Sequence, residues 1–215
     1  MFTNPMPSKE VLIFGATGLL GSHVVKQALA AGYKIRIFAR NPARVQQSTN
    51  VGVPVFTGES SNFADVEPAL KDVDVVISCL GNTKSQTIML SSHENILKAA
   101  RKQKKQPRCI FISSVGCGGT SWLVKQMLRL IGGKASFDDY EAADLRISGE
   151  TEVPFLIIRA YALNNKPGKG TYFITRNQKG TFLKPIARVD VASFMVSAIE
   201  DSSWDGAPGP LLGGA

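Results

Sequence analysis

The chain has 215 residues and a formal net charge of +8 at pH 7; 44% of its residues are hydrophobic and 20% are charged. These proportions are ordinary for a globular protein, and they exclude an intrinsically disordered chain, a collagen-like chain and a small disulfide-stapled scaffold. We predict a single domain over residues 1–215, because an α/β chain of this length commonly folds as one unit with a substantial core.

The termini and the cysteines indicate where the chain works. Residues 1–9 lack an apolar segment behind a basic start, and no stretch of about 18 uncharged apolar residues follows, so secretion and membrane spanning are not expected. Cys79, Cys109 and Cys117 cannot all pair and form no CxxC motif. We therefore predict a reducing, cytoplasmic setting with three buried thiols.

Much of the positive charge lies in one block, made of Arg101, Lys102, Lys104, Lys105 and Arg108. A basic run at the end of a predicted helix complements the negative end of the helix dipole. No aromatic residues alternate with it, so the stacking platform of single-strand nucleic-acid binders is missing. Nucleic acid and membranes are thus disfavoured as partners, and an anionic small molecule is favoured.

Six apolar runs rich in β-branched residues predict strands. They are Glu10–Phe14, Lys34–Ala39, Val53–Thr57, Val73–Cys79, Arg108–Ser113 and Pro154–Arg159. The helical patterns between them are Leu19–Ala31, Pro42–Gln47, Phe63–Leu70, Ser85–Lys102 and Asp138–Ser148. Alternation of strand and helix, with nearly continuous apolar strands, predicts an α/β fold with a doubly wound, mainly parallel sheet.

The pattern changes after Arg159. Residues 171–175 and 181–186 flank Asn177-Gln178-Lys179-Gly180 and predict a hairpin or a bent extended pair. Val189–Glu200 predicts a last helix. The glycine- and proline-rich tail, Gly206–Ala215, is expected to add an edge strand or to fray.

A glycine motif follows the first predicted strand and opens the first helix. Gly15, Gly18 and Gly21 lie in Gly-Ala-Thr-Gly-Leu-Leu-Gly. In a dinucleotide-binding turn the first glycine makes the tight bend, the second lets the backbone approach the pyrophosphate and the third lets helix and strand pack closely. The phosphates then lie on the amides at the positive end of the helix. The motif therefore predicts a bound nicotinamide dinucleotide.

The end of the second strand distinguishes NADP(H) from NAD(H). A carboxylate about 20 residues past the glycines usually holds the ribose hydroxyls of NAD, and Arg40 stands there instead. No Asp or Glu occurs between Glu10 and Glu59. A planar, permanently charged guanidinium suits a 2′-phosphate, with Arg44 one helical turn further on. We predict NADP(H), against the alternative of a solvated basic helix start.

Two further strand ends are expected to border the same crevice, because ligands of open α/β sheets bind outside the carboxyl ends of the strands. These ends are Ser78–Asn82 and Ser113–Gly116. Gly81 permits close approach to the ribose, and Ser113 or Ser114 places a hydroxyl near the nicotinamide.

Several segments together resemble the atypical short-chain dehydrogenase/reductases. They are the GATGLLG turn, Ala39-Arg40-Asn41-Pro42, the SCLG and ISSVG strand ends, DLRISG, and Ala187-Arg188-Val189-Asp190-Val191-Ala192. The likeness spans nearly the whole chain, and its length and last helix most resemble the biliverdin reductase B/flavin reductase-like and NmrA-like branches. This resemblance implies a Rossmann fold with a small substrate-side portion at about 160–215.

The same resemblance implies roles for individual residues. It assigns the pyrophosphate to Gly15, Thr17, Gly18, Leu19, Leu20 and Gly21. It assigns the rest of the cofactor to Arg40 and Arg44 (2′-phosphate), Gly58 and Glu59 (adenine, where relatives usually have Gly-Asp), Cys79, Leu80 and Gly81 (ribose), Ser113, and Tyr161 and Ala162 (nicotinamide). Ser114 matches the active-site serine of the flavin reductase branch.

The usual acid–base pair of the superfamily is absent. That pair is a Tyr followed four residues later by a Lys that lowers its pKa, whereas here Tyr140 is followed by Asp144. A neighbouring carboxylate is expected to raise the pKa of Tyr140. Tyr140 is therefore a candidate catalytic acid, with a site-lining or core residue as the alternative. His23 and His93, the only histidines, are expected to be surface or packing residues, and no metal site is expected.

Residues 122–131 form an amphipathic helical pattern with a broad apolar face. Three interpretations remain open at this stage: a roof over the substrate pocket, a core or oligomer-facing helix, and a membrane-surface contact.

The favoured function is an NADPH-dependent reductase that transfers hydride to a planar small molecule such as a flavin, a quinone or a tetrapyrrole. The rival hypothesis is an NmrA-like protein that senses NADP(H) without turnover. A monomer or homodimer is expected.

Overall fold

The computed structural model describes residues 9–49, 52–82, 87–119, 122–177 and 184–215. The strands within these ranges are β1 (Glu10–Phe14), β2 (Lys34–Ala39), β3 (Val55–Thr57), β4 (Val75–Ser78), β5 (Arg108–Ser114), β6 (Phe155–Ala160), β7 (Leu163–Asn164), β8 (Tyr172–Thr175), β9 (Ile186–Ala187) and β10 (Leu211–Gly214). The helices are α1 (Gly21–Ala30), α2 (Pro42–Thr49), α3 (Phe63–Ala69), α4 (Met89–Arg101), α5 (Trp122–Gly132), α6 (Lys134–Ser148) and α7 (Arg188–Ser197). None of these helices is long and apolar enough to cross a bilayer.

Eight strands form one sheet in the order β3-β2-β1-β4-β5-β6-β10-β8. The pairs from β3 to β10 are all parallel, and only β8 runs antiparallel to its neighbour. Strands β2 and β3 are added on one side of β1, and β4, β5 and β6 are added on the other. This reversal of strand order leaves a crevice at the carboxyl ends of β1 and β4, where open α/β sheets bind ligands. The predicted doubly wound, mainly parallel α/β fold is confirmed.

The sheet is buried on both faces, and the alternation along β1 shows why. Val11 and Ile13 belong to the apolar cluster on one face, whereas Leu12 and Phe14 belong to the cluster on the other. All four are fully buried. Each such side chain stabilises the fold by roughly 1.5–3 kcal/mol relative to exposure. Helices α1 and α7 contact each other on the first face, and α4 contacts both α3 and α6 on the second.

The predicted strands and helices in the first 160 residues are confirmed in type, with shifted ends. The third strand begins at Val55 rather than Val53, and the fourth is Val75–Ser78 rather than Val73–Cys79. Helix α6 begins at Lys134, four residues before the predicted start. Helix α4 begins at Met89, four residues after the predicted start at Ser85, and residues 85–86 of the predicted helix lie outside the described residues.

The end of the chain differs from its prediction. Strand β10 is not an edge strand and does not fray, because Leu211 and Leu212 lie between β6 and β8 and are buried. Strand β8 pairs with β10, and the predicted hairpin or bent extended pair of residues 171–175 and 181–186 stays a prediction. Residues 178–183 of that hairpin lie outside the described residues. Gly209 makes the insertion possible, because a Cβ there would lie 1.9 Å from the Ile157 carbonyl oxygen.

The cysteines are free, as predicted. Cys109 and Cys117 are buried and Cys79 is partly buried. Burial raises the pKa of the Cys79 thiol to about 12 and is also the main cause that raises the pKa of Cys117 to about 12. These thiols stay protonated near neutral pH and therefore behave as packing groups.

Candidate functional site

The glycine turn after β1 is closed tightly enough that side chains would not fit. Gly15 has a φ of 74°, and a Cβ there would lie 2.6 Å from the Cys79 carbonyl oxygen. A Cβ on Gly21 would lie 2.2 Å from the Gly15 carbonyl oxygen. The Gly18 amide donates to that same carbonyl oxygen at 3.0 Å. The turn thus leads directly into α1, as a pyrophosphate-binding turn requires.

A cleft of about 290 Å³ lies beside this turn and is called the dinucleotide cleft below. It is bordered by the ends of β1, β2, β3 and β4. The predicted residues that line it are Gly15, Thr17, Gly18, Arg40, Arg44, Gly58, Glu59, Cys79, Leu80 and Gly81. Leu19 and Gly21 line no cavity described here; the Leu19 side chain is 62% exposed, and Gly21 shapes the turn.

The end of the cleft at Gly58 and Glu59 is shaped by a residue that the sequence interpretation did not single out. Asp65, in the first turn of α3, accepts a hydrogen bond from the Glu59 amide at 2.9 Å. A Cβ on Gly58 would lie 2.5 Å from the Asp65 Cβ. Gly58 is therefore small because α3 packs against it, and Asp65 holds the backbone of the loop.

A second, larger cavity of about 590 Å³ adjoins the cleft and is called the apolar cavity below. The two share Cys79, Leu80 and Gly81. The predicted residues Leu20, Ser113, Ser114, Tyr161 and Ala162 line the apolar cavity, as does Tyr140 from α6. The residues predicted for the adenine end of the cofactor thus line the dinucleotide cleft, and those predicted for the nicotinamide line the connected apolar cavity.

Helix α5 covers the apolar cavity. Val124, Met127, Leu128 and Ile131 face the cavity. None of the side chains of α5 is fully buried, so the interpretation as a core helix is wrong and the interpretation as a roof fits. Salt bridges join the roof to α6: the Arg129 Nε lies 2.6 Å from Asp138, and Lys125 pairs with Glu141. The contacts of the outer face of α5 with another subunit or a membrane stay predictions.

Tyr140 lies where the two cavities meet. Its hydroxyl oxygen is 3.0 Å from the point that a Cβ on Gly81 would occupy, and it accepts a hydrogen bond from the Asn82 amide. Burial is the main cause that raises the pKa of Tyr140 above its usual value. The predicted direction is right, but the predicted cause, a neighbouring Asp144, is wrong.

Asp144 has another partner. It is 1% exposed and pairs with Arg159, whose Nη2 lies 2.5 Å and Nε 2.9 Å from its carboxylate oxygens. Ser113 also donates to Asp144 at 2.7 Å. This network ties α6 to the ends of β5 and β6. Sequence reasoning missed Arg159, and the available signal was a charged residue inside an otherwise apolar strand.

Ser113 and Ser114 therefore differ, although both line the apolar cavity. The Ser113 hydroxyl is committed to Asp144, whereas the Ser114 hydroxyl donates only to the adjacent Val115 carbonyl oxygen at 3.2 Å. A local bond of this kind is readily exchanged for one to a ligand. Ser114 is the serine with a hydroxyl available to a substrate.

His93 is a packing residue, which is one of the two alternatives predicted for it. It is fully buried, stacks edge-on against Phe111 with ring centroids 4.9 Å apart, and hydrogen-bonds the Ser78 hydroxyl through Nε2 at 2.9 Å. Burial lowers the pKa of His93 to about 3. The imidazole is therefore neutral, and it supports β4 immediately before the segment shared by both cavities.

Comparison with known proteins gives the family. The sequence pattern of the NAD(P)H-binding family matches residues 15–202. The chain belongs to this NAD(P)H-binding family. The fold described above is the Rossmann fold that the resemblance to the atypical short-chain dehydrogenase/reductases implied. The glycine turn fits that assignment, because a Cβ would clash with backbone at Gly15 and Gly21, the positions that need a tight bend and close packing of helix on strand.

Individual relatives are more distant. Phenylcoumaran benzylic ether reductase IRL1 of Ginkgo biloba is 31% identical over 105 residues, which are 45% of this chain and 33% of that protein. The chain therefore spans about a third of the length of that relative.

Two solved structures share the fold over nearly the whole chain. ChuY, an anaerobillin reductase from Escherichia coli O157:H7, superposes with a TM-score of 0.75 at 21% identity and covers 95% of this chain and 96% of its own. A short-chain dehydrogenase/reductase from Veillonella parvula in complex with NADP has a TM-score of 0.73 at 20% identity, with 95% and 94% covered.

Proposed function

We propose that the protein is an NADPH-dependent reductase that transfers hydride to a planar small molecule such as a flavin, a quinone or a tetrapyrrole. The observation that carries this proposal is the junction of the two cavities at Cys79, Leu80 and Gly81. A dinucleotide laid along the glycine turn would have its nicotinamide end at this junction, beside a separate space for an acceptor.

The choice of NADPH over NADH rests on Arg40 and Arg44. Both line the dinucleotide cleft beyond β2, and no Asp or Glu occurs between Glu10 and Glu59 to hold ribose hydroxyls. A guanidinium binds a phosphate dianion through charge-assisted, paired hydrogen bonds. The structurally similar Veillonella parvula short-chain dehydrogenase/reductase is in complex with NADP, which agrees with this choice.

The residues of the apolar cavity have distinct tasks in this proposal. When bound, NADPH supplies the hydride. Helix α5 excludes water from the acceptor, and Ser114 orients it through a hydrogen bond. Tyr140 is protonated at neutral pH, as an ordinary tyrosine is, and burial raises its pKa further, so its hydroxyl acts as a donor and not as a base. Cytoplasmic location and a monomeric or homodimeric state belong to the same proposal.

A second candidate function is an NADP(H) sensor without turnover. Asp144 favours it, because this residue stands where the superfamily has the lysine of its acid–base pair. The Asp144 carboxylate instead forms a salt bridge with Arg159. None of the described residues lining the apolar cavity is a lysine. In a sensor, the cavity would hold a ligand that modulates the cofactor and is not reduced.

Anaerobic oxidation of NADPH with riboflavin, menadione and biliverdin separates the two functions. A reductase turns over at least one acceptor, and the double variant Ser114→Ala/Tyr140→Phe lowers kcat by about 10²-fold or more, as expected for loss of positioning and proton donation. NADPH binding followed by fluorescence should be unchanged in that variant. Tight NADPH binding without turnover of any acceptor would establish the sensor instead.

A further inference from the structure

The apolar cavity contains no charged side chain. Its 18 lining residues, all within the described part of the chain, include no Asp, Glu, Lys, Arg or His. The adjoining dinucleotide cleft is different, because Arg40, Arg44 and Glu59 line it. The charge needed to hold an anion is thus present on the cofactor side of the junction and missing from the acceptor side.

Charged residues on the helices around the apolar cavity are committed elsewhere. On the roof, Lys125 pairs with Glu141 and Arg129 pairs with Asp138. On α6, Asp139 accepts hydrogen bonds from the first amides of α4, at 2.8 Å from Met89. Among the described residues of α5 that carry a positive charge, a ligand anion would have to break one of these salt bridges, and it would then leave a carboxylate without its partner.

The Asp144–Arg159 pair is closed off in the same way. Gly118 packs so closely that a Cβ on it would lie 2.4 Å from the Arg159 guanidinium, which also donates to the Gly209 carbonyl oxygen. Arg159 is 1% exposed. Its charge is therefore neutralised beneath the floor of the cavity and is not presented to a ligand.

The mouth of the cavity is apolar as well. Met127 and Ile131 line the cavity although they are 51% and 76% exposed, so they form its rim. The polar groups inside are neutral hydroxyls, of which Ser114, Tyr140 and Tyr161 lie at the walls. Hydroxyls suit carbonyl oxygens, whereas an anion would lose its hydration without gaining a counter-charge.

We propose that the acceptor of this reductase is an uncharged, carbonyl-bearing planar molecule of the quinone type, and that the apolar cavity discriminates against carboxylated, sulfonated or phosphorylated acceptors. This inference rests on the proposed reductase function and narrows its substrate class. A quinone that takes up the hydride and one proton leaves as the hydroquinone, with NADP⁺ as the other product. The volume of about 590 Å³ lies in the roughly 300–1,000 Å³ range of small-molecule sites.

Pairs of acceptors that differ mainly in charge test this inference. One pair is menadione and 1,4-naphthoquinone-2-sulfonate, and the other is biliverdin dimethyl ester and biliverdin. The neutral member of each pair should have a KM lower by about 30-fold or more, because the charged member must be desolvated without a partner. The sulfonate withdraws electrons and favours reduction chemically, so slower turnover of that member would be especially informative.

A charge placed inside the cavity should reverse the preference. Val124→Lys, on the roof and facing the cavity, should lower the KM for the sulfonate about tenfold and raise that for menadione. Met127→Lys, at the rim, is the second variant if the first does not fold. Leu130→Lys is the matched control: Leu130 is 87% exposed on the same helix and does not line the cavity. It should leave both KM values unchanged.

The outcomes separate the two levels of the proposal. Equal or lower KM values for the charged members, with turnover retained, would overturn the neutral-acceptor inference and leave the reductase intact. Absence of turnover with every acceptor would refute the reductase. In that case the Kd of each pair, measured by fluorescence quenching in the presence of NADP⁺, still tests the discrimination. Tighter binding of the charged members would then contradict it.

Discussion

The dinucleotide cleft and the apolar cavity share three residues but are assembled in different ways. Apart from the shared segment and Ile88, the residues that line the cleft all fall within one stretch of the chain, 15–61, at the ends of β1, β2 and β3 and in the first turn of α2. The apolar cavity draws on β5, α5, α6, the end of β6 and Leu211 of β10. A cleft made by one continuous stretch can be recognised from its local pattern, whereas a cavity made by distant segments depends on the whole fold.

This difference decides how much could be predicted from the sequence. The spacing of Gly15, Gly18 and Gly21, together with Arg40, was enough to predict the turn and the cleft beside it, because the tight bend and the close packing are local geometric requirements. The roof over the cavity remained one of three alternatives. Its position depends on salt bridges to α6, which a periodic apolar pattern does not contain.

The inserted tail and the buried ion pair were missed for the same reason. Leu211 and Leu212 lie inside the sheet because β10 pairs with β6 on one side and with the antiparallel β8 on the other. The order of strands in a sheet leaves no local signal in the sequence. Asp144 stands one helical turn after Tyr140 and was assigned to it by sequence spacing. Its partner in the structure, Arg159, is 15 residues further along the chain, on strand β6.

The largest expected effect concerns the apolar cavity, which is built from segments distant in the chain. Asp144→Asn leaves Arg159 charged and buried without its partner, so the free energy of unfolding should fall by about 3–5 kcal/mol. Urea denaturation measures this change. Asp72→Asn, at an exposed turn, is the matched control and should cost less than about 0.5 kcal/mol. At temperatures where the variant is folded, NADPH affinity should change less than threefold; a loss as large as the stability effect would show that the two regions are not separable.

A change in the glycine turn is expected to affect NADPH affinity rather than the stability of the fold. A Cβ from Gly21→Ala would lie 2.2 Å from the Gly15 carbonyl oxygen, so the turn must open and its amides must move. NADPH affinity should then fall by about 5- to 150-fold, if the 1–3 kcal/mol cost of overpacking is lost from binding. Gly52→Ala, where nothing lies within 4 Å of the new Cβ, is the control. Isothermal titration measures both, and equal affinities in the two variants would argue against a pyrophosphate at the turn.

The phosphate specificity should respond to a single charge reversal. Arg40→Asp is expected to raise the Kd of NADPH by about 30-fold while that of NADH changes less than threefold, because only NADPH carries the 2′-phosphate. Lys34→Asp makes the same charge change at the exposed opposite end of β2 and should affect neither. Parallel losses of both cofactors in Arg40→Asp would refute the NADP(H) assignment.

The smallest effect concerns the support beneath the shared segment, and it appears as a pH dependence. The pKa of His93 is lowered to about 3 by burial, while the unfolded chain takes up the proton near pH 6.5. The stabilisation from a neutral His93 is therefore present above pH 6.5 and is lost as the pH falls towards 3. Between pH 6.5 and 5 the wild type should lose about 1.5 kcal/mol through this group. In His93→Gln that component of the slope should disappear, whereas His23→Gln should keep it because the buried imidazole remains.

Since His93 holds Ser78 next to Cys79, His93→Gln should also weaken ligand binding in both cavities together. A loss confined to one cavity would show that the shared segment is not held as a unit.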